Sequence, residues 1–245
     1  MAKTIILIPS RLSATRLPNK PLLKINNKSL ICHVYEKGKS TNVGEVYVAT
    51  SDQEIFDEVT KNNGKCILTE KEHHTGTDRI FEAFEQLKLS NIDYIINLQG
   101  DEPLINKNDI INLNNLAINN NSEIATLACK IESKDMQNKD IVKVICNENL
   151  ENNIFSSAQK FLRLVNNQNF ENIYHHIGIY IYKVSILKKF VALKQSPNEI
   201  NLKLEQLRAL DNNIKIDVVY ANSTPVGVDT EEDYLEIKKL MEYKS

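Results

Sequence analysis

Residues 4–21 read TIILIPSRLSATRLPNKP. Thr4, Ile5, Ile6, Leu7 and Ile8 form an apolar run with no polar alternation. That is the pattern of a strand covered on both faces, as in a parallel sheet flanked by helices. The loop that follows, residues 9–21 (PSRLSATRLPNKP), has the opposite character. It carries the cations Arg11, Arg16 and Lys20, with the hydroxyls of Ser10, Ser13 and Thr15 between them, and Pro9, Pro18 and Pro21 stiffen its path. A guanidinium offers a planar fork to phosphate oxygens and an ammonium offers a compact charge. Placed at the carboxyl end of a first strand, such a loop is suited to holding a triphosphate. The competing reading is a solvated basic loop, which its position and charge density disfavour.

Outward from this stretch, strand and helix patterns alternate. Residues 29–39 read as a helix with Leu30, Ile31, Val34 and Tyr35 available for one face, and residues 45–50 (EVYVAT) as a second strand. Ser51 and Glu54 have the spacing of a capping box, and Gly64 is the expected C′ residue of the helix they open. A short strand is expected at 65–68. An amphipathic helix follows at 78–89, with Ile80, Phe81, Phe84 and Leu87 as its apolar set and Thr77 as N-cap. Residues 93–98 read as a strand and 108–119 as a helix. The repeated order predicts an α/β fold, a Rossmann-like, mostly parallel sheet flanked by helices. Ligands of such sheets lie beyond the carboxyl ends of the strands, which singles out the loops after Ile8, Thr50 and Leu98.

The second half is less regular. Strands are expected at 123–131, 141–146, 177–182 and 215–221. Ser196, Pro197 and Glu199 combine a capping box with proline at N1, which predicts a helix reaching about Leu210. A terminal helix at 230–243 is capped by Thr230 and acidic in its first turn, at Glu231, Glu232 and Asp233, as the helix dipole favours. No internal repeat or linker stands out, so residues 1–245 read as a single domain.

Composition excludes several classes of function. The 245 residues hold 30 basic and 32 acidic side chains, a net charge of −2. A duplex-binding surface is usually basic, so no nucleic-acid partner is expected. Cys32, Cys66, Cys129 and Cys146 make no CxxC and no zinc-like cluster, and the last three sit in apolar runs expected to bury their thiols. The N-terminal apolar run is too short for a signal peptide, and no run approaches the roughly 20 apolar residues of a membrane span. A cytoplasmic, reduced protein with no membrane partner is the expectation. The glycines, at 38, 44, 64, 76, 100, 178 and 227, form neither GxGxxG nor GxxxxGK[ST]. That disfavours a dinucleotide-binding oxidoreductase and a P-loop NTPase.

Further stretches carry chemistry. In residues 97–103 (NLQGDEP), Asp101 stands just past a strand end, a good place for an oxygen ligand to a hard cation, although D-E-P is also ordinary turn sequence. In residues 73–79 (HHTGTDR), adjacent histidines suggest a metal at first sight, but sequence neighbours rarely converge on one ion. A helix-capping loop explains them equally well. In residues 227–233 (GVDTEED), Asp229 directly precedes the terminal helix. Residues 176–180 read HIGIY, and residues 204–208 (LEQLR) read by themselves as a helix with a solvated face.

Together these stretches resemble a known family. The form RxxxTRLPxKPL closely resembles the N-terminal signature of the CMP-Kdo synthetases, which activate the acidic sugar 3-deoxy-manno-octulosonate (Kdo). A looser form, RxxSxRxPxK, is shared by sugar nucleotidyltransferases generally. The motifs occur in family order between residues 9 and 233. The resemblance implies transfer of CMP from CTP to Kdo, with release of pyrophosphate, for lipopolysaccharide biosynthesis. It implies that Arg11, Lys20, Asp101 and Asp229 are catalytic, and that Asp101 and Asp229 hold Mg²⁺. Pro9, Ser10, Arg11, Lys20, Thr75, Gly76, Arg79 and Gln99 would bind CTP, and His176, Tyr180, Glu205 and Gln206 would line the Kdo pocket. A homodimer is implied too, formed through a β-rich subdomain at about 120–212 that also contributes the sugar site.

The chain departs from the family pattern at three places. Ala14 replaces a common Ser. Asn19 replaces a common Gly, a mild change because Asn tolerates left-handed backbone angles. Ser157 stands where an Arg usually follows F-S, and the I-P pair beyond it is absent. Arg163 and Lys160 are the candidates to neutralise the sugar carboxylate in its place. Two alternatives therefore stay open: a cytidylyltransferase for another acidic sugar (8-amino-Kdo or a sialic-type acid), and a non-catalytic homologue that binds nucleotide.

Overall fold

A computed structural model describes residues 2–13, 16–70, 73, 75–165, 171–224 and 226–243. The chain divides into two compact units. One comprises residues 3–108 and 225–245, and the other residues 109–224.

The first unit opens with β1 (Thr4–Pro9). A short hairpin follows, β2 (Lys24–Ile25) and β3 (Lys28–Ser29). Its two turn residues, Asn26 and Asn27, both have positive φ, 48° and 62°, as a tight two-residue hairpin requires. Then come α1 (Leu30–Ser40), β4 (Val46–Thr50), α2 (Gln53–Lys61), β5 (Cys66–Leu68), α3 (Gly76–Leu87) and β6 (Tyr94–Asn97). All strand pairs among β5, β4, β1 and β6 are parallel, and β1 lies between β4 and β6. Ile5, Ile6, Leu7 and Ile8 are buried, which is why β1 reads as an unbroken apolar run.

Three local expectations need correction. The capping box at Ser51 and Glu54 does not form. Asp52 is the N-cap of α2, and its side chain does not cap the helix. Instead its Oδ2 accepts from the Leu12 backbone N–H at 2.8 Å, tying the cationic loop to the start of α2. At the other end of α2, Asn63 and not Gly64 takes the left-handed position, with φ 57°. Gly64 N–H donates to Val59 O at 2.8 Å and Asn63 N–H to Thr60 O at 3.0 Å, the two bonds of a Schellman motif. Gly64 is needed for space, since a Cβ there would stand 2.6 Å from Val59 Cγ1. The N-cap of α3 is Thr75, whose hydroxyl accepts from Asp78 N–H. Thr77 lies two residues further on, within the first turn, where it is buried and accepts from Asn97 Nδ2 at 3.3 Å. The buried face of α3 is Thr77, Arg79, Ile80 and Ala83, while Phe81, Phe84 and Leu87 are only half-buried.

The helix α4 (Lys107–Asn119) leads into the second unit. That unit contains β7 (Ile124–Lys130), β8 (Lys143–Cys146), α5 (Leu150–Asn153), β9 (Phe155–Leu162), β10 (Ile173–Lys183), α6 (Val184–Val191), α7 (Pro197–Leu202), α8 (Leu207–Asp211) and β11 (Ile216–Tyr220). The pairings β10–β7, β7–β11, β11–β9, β9–β8 and β8–β10 close five strands into a ring, antiparallel except at β7–β11. The sequence pattern did not single out β9, and β10 is longer than the expected strand, with a bulge between Ile177 and Tyr180. The single helix expected from Pro197 to about Leu210 is two. Its capping box at Ser196 and Glu199 is present, but Lys203 at φ 53° ends α7, and α8 starts only at Leu207. The unit spans more chain than the expected 120–212.

The chain returns to the first unit with α9 (Glu231–Glu242), capped reciprocally by Thr230 and Asp233. Its Ile237 packs in a small core with Leu17, Ile25, Leu30 and Val228, so the cationic loop is pinned through Leu17. All four cysteines are free. Among the described residues no helix is long and apolar enough to cross a membrane.

Candidate functional site

In the first unit, β1 is joined along the chain to β4 on one side and faces the later strand β6 on the other. This is the kind of switch point where α/β sheets open a crevice at their carboxyl ends. A cleft of about 420 Å³ lies there. Pro9, Ser10, Arg11 and Lys20 line it from the end of β1 and its loop. Thr75, Gly76 and Arg79 line it from the start of α3, Gln99 and Asp101 from the loop after β6, and Asp229 from the segment before α9. Every residue that the resemblance gave to the nucleotide, the phosphates and the metal thus falls in one cleft. Ser13, Arg16, Pro21, His73 and Gly100 join them.

The local sequence explains how the cleft is built. Ser10 N–H continues the β1 ladder to Ala49 O at 2.9 Å. Its Oγ is buried and has no hydrogen-bond partner among the described residues. Asn19, at φ 55°, turns the loop into a single 3-10 turn, Lys20–Leu22. Gly100 lets the loop after β6 approach β1, since a Cβ there would meet Pro9 O at 3.0 Å.

The turn at Asn19 sends the Lys20 ammonium between two acids. Nζ donates to Asp101 Oδ2 at 2.7 Å, to Val228 O at 2.7 Å and to Asp229 Oδ1 at 3.3 Å. A main-chain bond from Val228 N–H to Asp101 O, 2.9 Å, holds the two acidic segments together. Asp101 and Asp229, 128 positions apart by their numbers, therefore converge on one ammonium, which the sequence alone left undecided. Arg16 Nη2 also reaches Asp229 Oδ2 at 3.1 Å, but this pair is solvent-exposed, whereas the Lys20 side chain is only 14% exposed.

Glu102 adds a third carboxyl. Burial first, then the charges of Asp101 and Asp229, push it up to about 8. Its Oε2 is buried with no hydrogen-bond partner among the described residues. An unsatisfied carboxyl oxygen beside two converging carboxylates marks a strongly electronegative spot. Hard oxygen donors of this kind suit Mg²⁺, which is commonly held by one or two carboxylates together with substrate phosphates. The residues present fit that ion.

On the wall nearest α3, the buried Arg79 donates from Nη1 to Thr69 Oγ1 at 2.8 Å. His73 Nε2 meets Glu82 Oε2 at 2.5 Å, and Glu82 Oε1 accepts from Glu70 N–H and Gln86 Nε2. Sequence reasoning missed this pair, because no local spacing links a loop residue to a position two turns into the following helix. His74, the other histidine weighed as a metal ligand, lies outside the described residues. Among the described residues no group of three or more His, Cys, Asp or Glu is arranged to hold a metal.

The second unit holds the other predicted set. His176 and Tyr180 flank the β10 bulge, their rings 5.5 Å apart, and the edge of Phe161 meets His176 at 5.0 Å. His176 Nε2 lies 3.0 Å from Thr126 Oγ1, whose single proton is directed to Ile177 O or Ile179 O. A neutral imidazole has one donor and one acceptor nitrogen. Burial, followed by the neighbouring His175, lowers the His176 pKa to about 3, so the ring is neutral. Burial, with Tyr182 and Glu205 nearby, raises Tyr180 well above its ordinary value and keeps the phenol protonated.

Glu205 and Gln206 lie in the turn between α7 and α8. Arg208 N–H donates to Glu205 O at 3.0 Å. The Arg208 side chain forms a buried two-point pair with Glu199, at 2.9 and 2.6 Å. Ser157 Oγ accepts from Asn147 Nδ2 at 2.7 Å. Neither proposed substitute for the missing arginine is suitably placed. Arg163 is bonded to three main-chain carbonyls. Lys160 is exposed and immediately precedes the buried Phe161, so strand alternation turns it away from His176.

Comparison with known proteins accords with this geometry. The family model described as Cytidylyltransferase matches residues 5–216. A 3-deoxy-manno-octulosonate cytidylyltransferase of Thermodesulfovibrio yellowstonii is 45% identical over 243 residues, covering 94% of each chain. The protein of the same description from Bartonella henselae is 42% identical over 239 residues, covering 97% of this chain and 98% of its own. A solved CMP:2-keto-3-deoxy-manno-octonic acid synthetase complexed with CTP is 32% identical and superposes with a TM-score of 0.91 over 100% of both chains.

Proposed function

The chain belongs to the 3-deoxy-manno-octulosonate cytidylyltransferase family, and on that premise we propose that it transfers CMP from CTP to Kdo and releases pyrophosphate. The observation that carries the reading is the Lys20 ammonium set between Asp101 and Asp229 in a cleft also lined by Arg11 and Arg79.

The triphosphate takes the cationic side of this cleft. Arg11, Arg16 and Lys20 neutralise it, and Ser10 Oγ, buried without a partner, is available to donate to it. Thr75, Gly76, Arg79 and Gln99 form the nucleoside end. When Lys20 turns to a phosphate, it releases Asp101 and Asp229 from their ion pairs. Those two carboxylates would hold Mg²⁺, which when bound supplies positive charge to the phosphates and lowers the pKa of a coordinated hydroxyl. The 2-hydroxyl of the sugar attacks the α-phosphorus in line and pyrophosphate leaves. Most of the rate enhancement comes from alignment and charge neutralisation.

On the sugar side, neutral His176 offers an acceptor, the Tyr180 phenol a donor, and Glu205 and Gln206 further acceptors and an amide donor. Such a set suits a polyhydroxylated ligand. The remaining parts of the proposal rest on family resemblance: a homodimer in the cytoplasm that meets neither nucleic acid nor membrane, and a product consumed in lipopolysaccharide biosynthesis.

Pyrophosphate release with CTP, Kdo and Mg²⁺ tests the proposal directly. Turnover is expected with this combination and not when another NTP replaces CTP. Turnover only with 8-amino-Kdo or a sialic-type acid would reassign the sugar. CTP binding with no turnover of any sugar acid would favour the non-catalytic alternative.

A further inference from the structure

The turn that carries Glu205 and Gln206 interrupts what would otherwise be one helix. It does so at Lys203, which takes φ 53°, a conformation that a side-chain-bearing residue other than Asn or Asp adopts only when its surroundings hold it there. The end of α7 holds it in part, with Leu204 N–H donating to Glu199 O at 3.2 Å, and Arg163 adds a second hold. From the far end of β9, its Nε donates to Leu202 O at 2.7 Å and its Nη2 to Lys203 O at 3.1 Å, gripping the peptides that enter and leave the left-handed residue. Its Nη1 donates to Lys139 O at 3.1 Å.

Arg163 is itself held. Its own carbonyl accepts from Lys143 Nζ at 3.0 Å, and that fully buried side chain also donates to Ile141 O at 2.8 Å and to Asn138 O. Among the described residues, neither Arg163 nor Lys143 forms an ion pair with a carboxylate. Burying charge is costly unless it is hydrogen-bonded, and here the hydrogen bonds all go to main-chain carbonyls, with the charge of Asp135 acting on Lys143 from further away. The arrangement specifies backbone position and not charge pairing.

We propose that Arg163, backed by Lys143, is a positioning residue for the sugar site: it fixes the α7–α8 turn and thereby Glu205 and Gln206. The proposal rests on the reading of His176, Tyr180, Glu205 and Gln206 as the sugar site. It also separates Arg163 from the missing arginine at position 157, because Arg163 acts through the turn and does not bind the sugar carboxylate.

The test compares Arg163→Ala, Arg163→Lys and Glu205→Gln by steady-state kinetics. Each is also titrated with Kdo and with its uncharged carboxamide as competitive inhibitor. Arg163→Ala is expected to raise KM for Kdo by roughly ten- to a hundredfold, the usual cost of a slightly misplaced binding group, with KM for CTP unchanged within about twofold. Arg163→Lys should recover little, because a compact ammonium cannot reproduce the reach and directions of a planar guanidinium fork. The carboxylate and the carboxamide should lose affinity by the same factor. Adding Lys203→Gly should return part of the lost affinity, since glycine adopts the left-handed turn unaided. It also serves as the second variant if Arg163→Ala folds poorly. An unchanged KM for Kdo, or a loss confined to the charged ligand, overturns the proposal. If Glu205→Gln also leaves KM for Kdo unchanged, the sugar-site reading itself fails, which is a separate result.

Discussion

Lys20 is the residue on which the first unit's site depends. Its ammonium touches Asp101, Asp229 and the carbonyl of Val228, and it is largely shielded from solvent. Replacing it removes a cation from the triphosphate and leaves three carboxyls, Glu102 included, facing one another. Lys20→Met is expected to lower kcat by about 10²- to 10³-fold, the scale seen when one preorganised electrostatic group is removed. Single-turnover rates at saturating CTP measure this, and a loss confined to KM for CTP would limit Lys20 to binding. At this scale the sequence was highly legible, because Arg11, Lys20, Asp101 and Asp229 sit in motifs. Arg163 was legible as a cation but not as a positioning group, because its partners are carbonyls, which every residue has and no sequence pattern marks.

Among the elements, the caps decide where chemistry sits. The capping box of α9 was readable from Thr230 and its acidic first turn, but it also does something the sequence did not show. Asp233 Oδ2 accepts from the N–H groups of both Thr230 and Asp229, at 2.8 and 3.0 Å, so the cap also fixes the backbone of a proposed metal ligand. Thr230→Ala should cost about 1 kcal/mol of stability, measured by urea unfolding. It should also raise the Mg²⁺ concentration needed for half-maximal rate, which a cap with no link to Asp229 would leave unchanged. The misread elements share a cause. Ser51 and Glu54 have capping spacing, but Asp52 was recruited by Leu12, 40 residues away in sequence. The helix predicted from Pro197 ends at a left-handed Lys203, whose carbonyl is also bound by Arg163, 40 residues away. In both cases a partner distant in sequence meets the chain where the local expectation fails.

For the whole molecule, acid stability depends on groups held in their neutral form. His176 has a folded pKa of about 3 against 6.5 when unperturbed. Because the folded value is the lower one, the unfolded chain binds the proton first. The stability associated with the neutral ring is therefore fully present above pH 6.5 and is lost as pH falls towards 3, by up to about 1.4 kcal/mol per unit. Wild type should lose Tm between pH 6.5 and 4.5 more steeply than His176→Gln, and parallel Tm profiles by calorimetry would contradict this. The chain's scarcity of glycine shows at the same scale. Twelve described residues other than glycine have positive φ, nine of them Asn, and no described glycine does. Asparagine takes the left-handed turns, while Gly64 and Gly100 serve close contacts. The sequence by itself determined the α/β class of the first unit, because a doubly buried strand must be apolar throughout. It also determined the phosphate-gripping loop, because clustered cations and prolines are local facts. Only the tertiary structure decided that Asp101 and Asp229 meet, that β9 completes a five-stranded ring, and that Arg163 serves the α7–α8 turn. Each of these involves a long-range bond to a main-chain group, and main-chain groups are the same at every residue and therefore leave no trace in the order of side chains.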